Sequence, residues 1–141
     1  MYWEKDTETM GRTELEALQL ERLRETVGRA VKSPYYEKIF RERGIDPAAV
    51  KTIRDVEKLP LTTKDDLRDQ WPYGFLAVSR DELVRMHSSS GTTGRATVIF
   101  HTADDIGHWT NIVARSMYMT GMRKQDVFQN MMTYGLFTGG L

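Results

Sequence analysis

The residues best suited to chemistry in this chain crowd into one stretch, Ser88-Ser89-Ser90-Gly91-Thr92-Thr93-Gly94-Arg95, set between apolar flanks. Gly91 and Gly94 tolerate positive φ, so the backbone around them can turn successive N–H groups toward one point. Such a concavity binds anions, phosphate oxygens above all. The hydroxyls of Ser88, Ser89, Ser90, Thr92 and Thr93 add donors, and Arg95 adds a fixed positive charge. A hydrogen bond to a charged partner contributes about 1.5–3 kcal/mol, so a few of them hold a polyphosphate.

This is not a Walker loop. That motif places four residues between its glycines, follows them with Lys-Ser/Thr and opens a helix. Here only Thr92 and Thr93 separate Gly91 from Gly94, and no lysine follows. The next residues, Ala96-Thr97-Val98-Ile99-Phe100, are rich in β-branched and apolar types, and Leu83-Val84-Arg85-Met86-His87 precede the loop. Both runs suit short strands. The loop is expected at the tip of a hairpin.

The elements that must carry this hairpin are legible on both sides. Downstream, Thr102-Ala103-Asp104-Asp105 has capping-box spacing, which predicts a helix with Ile106, Trp109, Ile112, Val113 and Met117 on its apolar face and Gly121 closing it. Residues 126–132 read as another strand, and 136–141 as the start of a helix. Upstream, Thr13 and Glu16 have capping-box spacing, and Leu15, Leu18, Leu23, Val27 and Val31 form a helical stripe to about Lys32. Ser33-Pro34 restarts a helix bearing Tyr35, Tyr36, Ile39 and Phe40, with Gly44 as its stop. Residues 45–70 read as short helical pieces started at Asp46-Pro47, Thr52 and Thr62 or Thr63. The aromatic turn Trp71-Pro72-Tyr73-Gly74-Phe75 is expected to be buried under the following strands. The whole predicts an α/β fold: a helical region over 1–80, then the start of a nucleotide-binding α/β subdomain over 81–141 whose sheet continues elsewhere.

Composition sets the outer limits. The chain has 141 residues, enough for one modest domain, and its formal net charge is +0 with basic residues scattered, which gives no nucleic-acid surface. There is no cysteine, which excludes disulfides, thiolate metal sites and a cysteine nucleophile. No apolar run is long enough to span a membrane and no signal-peptide core follows Met1, so a cytoplasmic location is expected. A hydrophobic content of 40% and a mean hydropathy of −0.52 are lean for a self-sufficient domain. His87, His101 and His108 lack any metal-binding spacing and read as structural or surface residues.

The run Ser89-Ser90-Gly91-Thr92-Thr93-Gly94 resembles the phosphate-binding signature of adenylate-forming enzymes, the acyl-CoA synthetase superfamily. Three further stretches resemble the phenylacetate–coenzyme A ligase family: Tyr2-Trp3 with Leu18-Gln19-Leu20-Glu21-Arg22-Leu23, Leu59-Pro60-Leu61-Thr62-Thr63-Lys64-Asp65-Asp66-Leu67-Arg68-Asp69, and Tyr134-Gly135-Leu136-Phe137-Thr138-Gly139-Gly140. They occur in the family's order across the chain, which reads as the N-terminal portion of a longer ligase.

The resemblance implies a helical arm followed by the first part of an adenylate-forming α/β domain. It implies small-molecule partners: ATP with Mg2+, coenzyme A and an aryl acid such as phenylacetate, acting in a homo-oligomer without nucleic acid or membrane. Ser88, Ser89, Ser90, Gly91, Thr92, Thr93, Gly94 and Arg95 would bind phosphate, while Tyr134, Gly135 and Phe137 would line the aryl pocket. The residues for adenine, ribose and metal, and the catalytic lysine, would lie outside this chain, which by itself would not turn over. Two departures from the family pattern stand out: Arg95-Ala96 in place of Lys-Pro, and Met131-Met132-Thr133 in place of aromatic and small residues. Another aryl-acid CoA ligase or adenylate-forming enzyme, and a short non-catalytic nucleotide-binding or oligomerisation module, are the alternative readings.

Overall fold

The computed structural model describes residues 1–89, 96–131 and 135. A single turn, α1 (Lys5–Glu8), precedes the long helix α2 (Arg12–Ala30). The spacing of Thr13 and Glu16 predicts a box that does not form: α2 begins at Arg12 behind Gly11, with no side-chain cap. Glu16 is taken instead by Arg12, 2.7 Å away on the next turn of the same face.

The following starts and stops match their local signals. In α3 (Pro34–Arg43), Ser33 Oγ accepts the Tyr36 N–H at 3.4 Å, Pro34 occupies the first position, and Gly44 ends the helix at φ 62°, where a Cβ would be strained. Asp46 caps a 3-10 turn over Pro47–Ala49, and Thr52 caps another over Ile53–Lys58. Thr63 caps α4 (Lys64–Asp69) through a box with Asp66. The apolar stripe of α2 lies on α3 and these turns: Val27, Phe40 and Val50 are buried, with Leu20, Leu23, Val31, Tyr36, Ile45 and Leu59 packed around them.

The aromatic turn is a partial correction. Trp71 and Tyr73 are 49% and 38% exposed, not buried under strands. Phe75 packs on Tyr35, with ring centroids 4.3 Å apart, and Tyr73 stacks on Phe100 at 5.3 Å. The sheet of two strands among the described residues is too narrow to cover the whole turn. Those strands, β1 (Leu83–Ser88) and β2 (Val98–Thr102), pair antiparallel, and β2 runs directly into α5 (Ala103–Met119). The box at the start of α5 forms as expected, Thr102 with Asp105.

Residues 126–131 do not pair as a strand among the described residues, and Val127 and Met131 are 96% and 85% exposed. A strand needs a neighbour to bond its backbone groups, and residues 126–131 lie along neither β1 nor β2. Residue 132 and the helix expected over 136–141 lie outside the described residues. A contact absent from the sequence reading ties the N-terminus to α5. Trp3 Nε1–H donates to Asn111 Oδ1 at 2.7 Å, Asn111 Nδ2–H donates to Glu4 Oε1 at 3.0 Å, and Arg115 pairs with Glu4. The chain exposes 10736 Å², against about 7,500 Å² for a compact monomer of its mass. Much apolar surface, the Ile112 flank of α5 included, is uncovered.

Candidate functional site

The candidate site is built on the β1–β2 hairpin. Its register pairs Arg85 with His101, Met86 with Phe100, His87 with Ile99 and Ser88 with Val98. One more pair extends it: Ser89 N–H donates to the Thr97 carbonyl at 2.9 Å, and Thr97 N–H donates to Ser89 Oγ at 3.0 Å. The hairpin therefore delivers both ends of the hydroxyl-rich loop side by side, at Ser89 and Thr97.

Of the residues the sequence nominates for phosphate, Ser88 and Ser89 are described. Ser90, Gly91, Thr92, Thr93, Gly94 and Arg95 lie outside the described residues. Ser88 ends β1 half-buried, and Ser89 Oγ braces the strand exit by accepting from Thr97. A hydroxyl has one donor and two acceptor sites, so Ser89 keeps its proton for a ligand while holding Thr97. Of the aryl-pocket candidates, Tyr134 and Phe137 also lie outside the described residues. Gly135 is exposed, and a Cβ added there would meet nothing within 4 Å.

Behind the loop the hairpin carries a cluster that spacing alone did not reveal. His87 is 0% exposed. Its ring lies 5.1 Å from His101 and 5.4 Å from Trp109 of α5, and His101 lies 5.5 Å from Trp109. Burial, with His101 and Arg85 near it, holds the His87 pKa below the ordinary histidine value. The ring is thus neutral at pH 7, and neither of its nitrogens has a hydrogen-bond partner among the described residues. The available signal was the period of two, which sets Leu83, Arg85 and His87 at alternate positions of one strand.

Two apolar grooves flank α5. Ile106, Trp109, Val113 and Met117 line one; Trp3, Tyr118 and Met122 line a second of about 560 Å³. Neither reaches Ser88 or Ser89, so they are surfaces of the scaffold and not the mouth of the loop. Among the described residues no group of three or more His, Asp or Glu could hold a metal ion, and no helix is long and apolar enough to cross a membrane.

Comparison with known proteins extends this picture. No protein-family model matches the chain. It is 46% identical over 135 residues to the phenylacetate-coenzyme A ligase of Aromatoleum evansii, covering 95% of this chain and 31% of that protein. The phenylacetate-coenzyme A ligase of Thermus thermophilus is 42% identical over 142 residues, covering 100% of this chain and 32% of the relative. Among solved structures, a 2-hydroxyisobutyryl-CoA ligase in complex with 2-HIB-AMP and CoA superposes with a TM-score of 0.80 and 33% identity, over 89% of this chain and 28% of that one. The chain therefore spans about a third of the length of the curated relatives it matches. Its resemblance to phenylacetate–coenzyme A ligases holds along the whole sequence, and its backbone is that of part of an adenylate-forming CoA ligase.

Proposed function

We propose that this chain supplies the phosphate loop and part of the acyl pocket of an ATP-dependent, AMP-forming phenylacetate–CoA ligase. One observation carries the reading: similarity to phenylacetate–CoA ligases runs through the entire chain, with the hydroxyl-rich loop mounted where a paired hairpin holds its two ends together. In this reading a carboxylate oxygen of phenylacetate attacks the α-phosphorus of ATP and the bond to the β-phosphate oxygen breaks. Pyrophosphate leaves with the electron pair, and an acyl-adenylate remains. The coenzyme A thiolate then attacks the acyl carbon and AMP departs.

This chain's part is to hold and stabilise. The backbone N–H groups of 90–94, the hydroxyls of Ser88, Ser89, Ser90, Thr92 and Thr93, and the Arg95 guanidinium bind the β- and γ-phosphates. Together they stabilise charge that grows on the leaving pyrophosphate and keep the α-phosphorus in line for attack. Arg95 offers a planar fork that engages two phosphate oxygens at once. Mg2+ bound with ATP would supply neutralisation of phosphate charge, and no residue of this chain is assigned to hold it. Tyr134, Gly135 and Phe137 are assigned to the aryl group of the acid, because aromatic side chains suit contact with a phenyl ring. The division at residue 80 separates the helical arm from this nucleotide subdomain. The protein works as a cytoplasmic homo-oligomer, without nucleic acid or membrane.

The test is thioester formation by the full-length gene product over a panel of carboxylic acids. Phenylacetate is expected to give the highest kcat/KM. A preference for a non-aryl acid would overturn the aryl assignment of Tyr134 and Phe137, and no ATP-dependent thioester with any acid would overturn the ligase reading. The 141-residue chain alone is expected to form none.

A further inference from the structure

His87 is fully buried, yet packing alone gives no reason for a histidine. Its ring stands edge-on to His101 of β2 and to Trp109 of α5, with centroids 5.1 Å and 5.4 Å away. Neither ring nitrogen has a hydrogen-bond partner among the described residues. A dry, unpaired polar group is costly, and a leucine in its place would remove that cost. What a leucine cannot do is take up a proton.

The seam between hairpin and helix admits only the neutral ring. An imidazolium carries two N–H donors, and no acceptor stands in place for either. The charges that act on His87 are those of Arg85, two positions back on β1, and His101 on β2, and both are positive when ionised. From α5 the side chain against the ring is Trp109, which is uncharged. Asp105, the carboxylate of α5 that acts on His101, already accepts from Thr102 N–H at 2.8 Å and Thr102 Oγ1 at 2.9 Å. Burial first, then His101 and Arg85, hold the His87 pKa below the ordinary histidine value. The seam also has room to yield, because Trp109 lines the α5 groove of about 280 Å³ together with Arg85, Ile106 and Val113. A shift of the indole into that groove lets water reach the His87 ring.

We infer that the His87–His101–Trp109 seam is an acid-operated latch: a proton taken from water by His87 unseats Trp109 and releases α5 from the hairpin, while helix α2 stays folded. The proton joins the lone pair of the unprotonated ring nitrogen, no covalent bond breaks, and its loss reseats the indole. The latch stands on β1, β2 and α5 alone and does not depend on what the loop binds. The closed seam favours the neutral ring, so closure is complete above the ordinary histidine pKa of about 6.5 and weakens below it by up to about tenfold per pH unit.

Hydrogen exchange read by mass spectrometry on the full-length gene product, corrected for the intrinsic pH dependence of exchange, tests the latch. Between about pH 7 and 5, peptides over 83–88 and 103–117 are expected to lose protection about tenfold, and a peptide over 12–30 is expected to keep its own. His87→Leu and His87→Gln do not titrate, and both are expected to abolish the loss. His101→Gln is expected to retain it, since burial outweighs His101 in keeping His87 neutral. Constant protection of both seam peptides over this range would overturn the latch. So would a loss that persists in either His87 variant, or one of equal size over 12–30, which is general unfolding. Failure of both His87 variants to fold at neutral pH would make the histidine a packing residue and overturn it too.

Discussion

Ser89→Ala isolates one bond at the root of the candidate site. The substitution keeps nearly the same volume and removes the oxygen that accepts the Thr97 N–H at 3.0 Å. It leaves the companion bond intact, Ser89 N–H to the Thr97 carbonyl at 2.9 Å. Both residues are half-buried, so the freed Thr97 N–H gains only partial access to water. A bond in that setting contributes about 1 kcal/mol net. At about 1.36 kcal/mol per factor of ten, amide exchange at Thr97 should accelerate about fivefold. The assay is hydrogen exchange followed residue by residue, in the regime where the rate reports the opening free energy. The Ser89 amide is an internal control and should change far less. Unchanged exchange at Thr97 would refute the bracing role of the hydroxyl. Equal acceleration at both amides would also refute it, since the hairpin end would then open as a unit.

Other outcomes follow from the same structure. Phe40 is buried between Val27 and Val50, so Phe40→Ala should cost about 3 kcal/mol or more and lower the urea midpoint by about 1–2 M; a shift near zero would mean that this cluster is not the core. Thr102→Ala removes the cap of α5, where Asp105 N–H donates to Thr102 Oγ1 at 3.2 Å. It should cost about 1 kcal/mol, or about 4 °C in Tm, and an unchanged melt would contradict the capping role. Acid should destabilise the chain through four carboxyls held below their ordinary pKa. These are Glu4, held by Asn111 and then Arg115, Asp55 by Lys58 and then the Thr52 and Lys51 N–H groups, Asp66 by Thr63, and Asp105 by Thr102. Because each folded pKa lies below the unfolded one, their stabilisation is complete above about pH 5 and is lost as pH falls through the folded values. Urea midpoints that do not decline between pH 5 and 2, taken as rough bounds, would contradict this.

Legibility followed the range of the interaction. The caps at Ser33, Thr52, Thr63 and Thr102 and the stop at Gly44 are made by residues three or four apart or by one backbone dihedral, so spacing alone reveals them. The hairpin was legible for a similar reason, since glycines and β-branched flanks act locally. Thr13 failed because Arg12 competes for Glu16, a rivalry between two equally local partners. What spacing did not hold is long-range. Trp3 and Glu4 reach Asn111 and Arg115 across more than a hundred positions, and no periodicity encodes that contact. Residues 126–131 carry the composition of a strand, but a ladder needs a partner that composition cannot name. The burial of His87 needed the hairpin register and the seat of Trp109 together. For the site, Ser88 and Ser89 stand at the hairpin exit, while the phosphate assignment rests on the loop's residue types and on resemblance, and the aryl assignment of Tyr134 and Phe137 on resemblance alone.

An enzyme that adenylates phenylacetate on the phosphate loop proposed for this chain exchanges pyrophosphate into ATP only when the acid is present. The most direct measurement is exchange of labelled pyrophosphate into ATP by the full-length gene product, with phenylacetate present and coenzyme A left out. Exchange that requires phenylacetate and is strongly reduced in Arg95→Ala is expected. Exchange that proceeds equally without any acid, or no exchange in a folded protein, would contradict it.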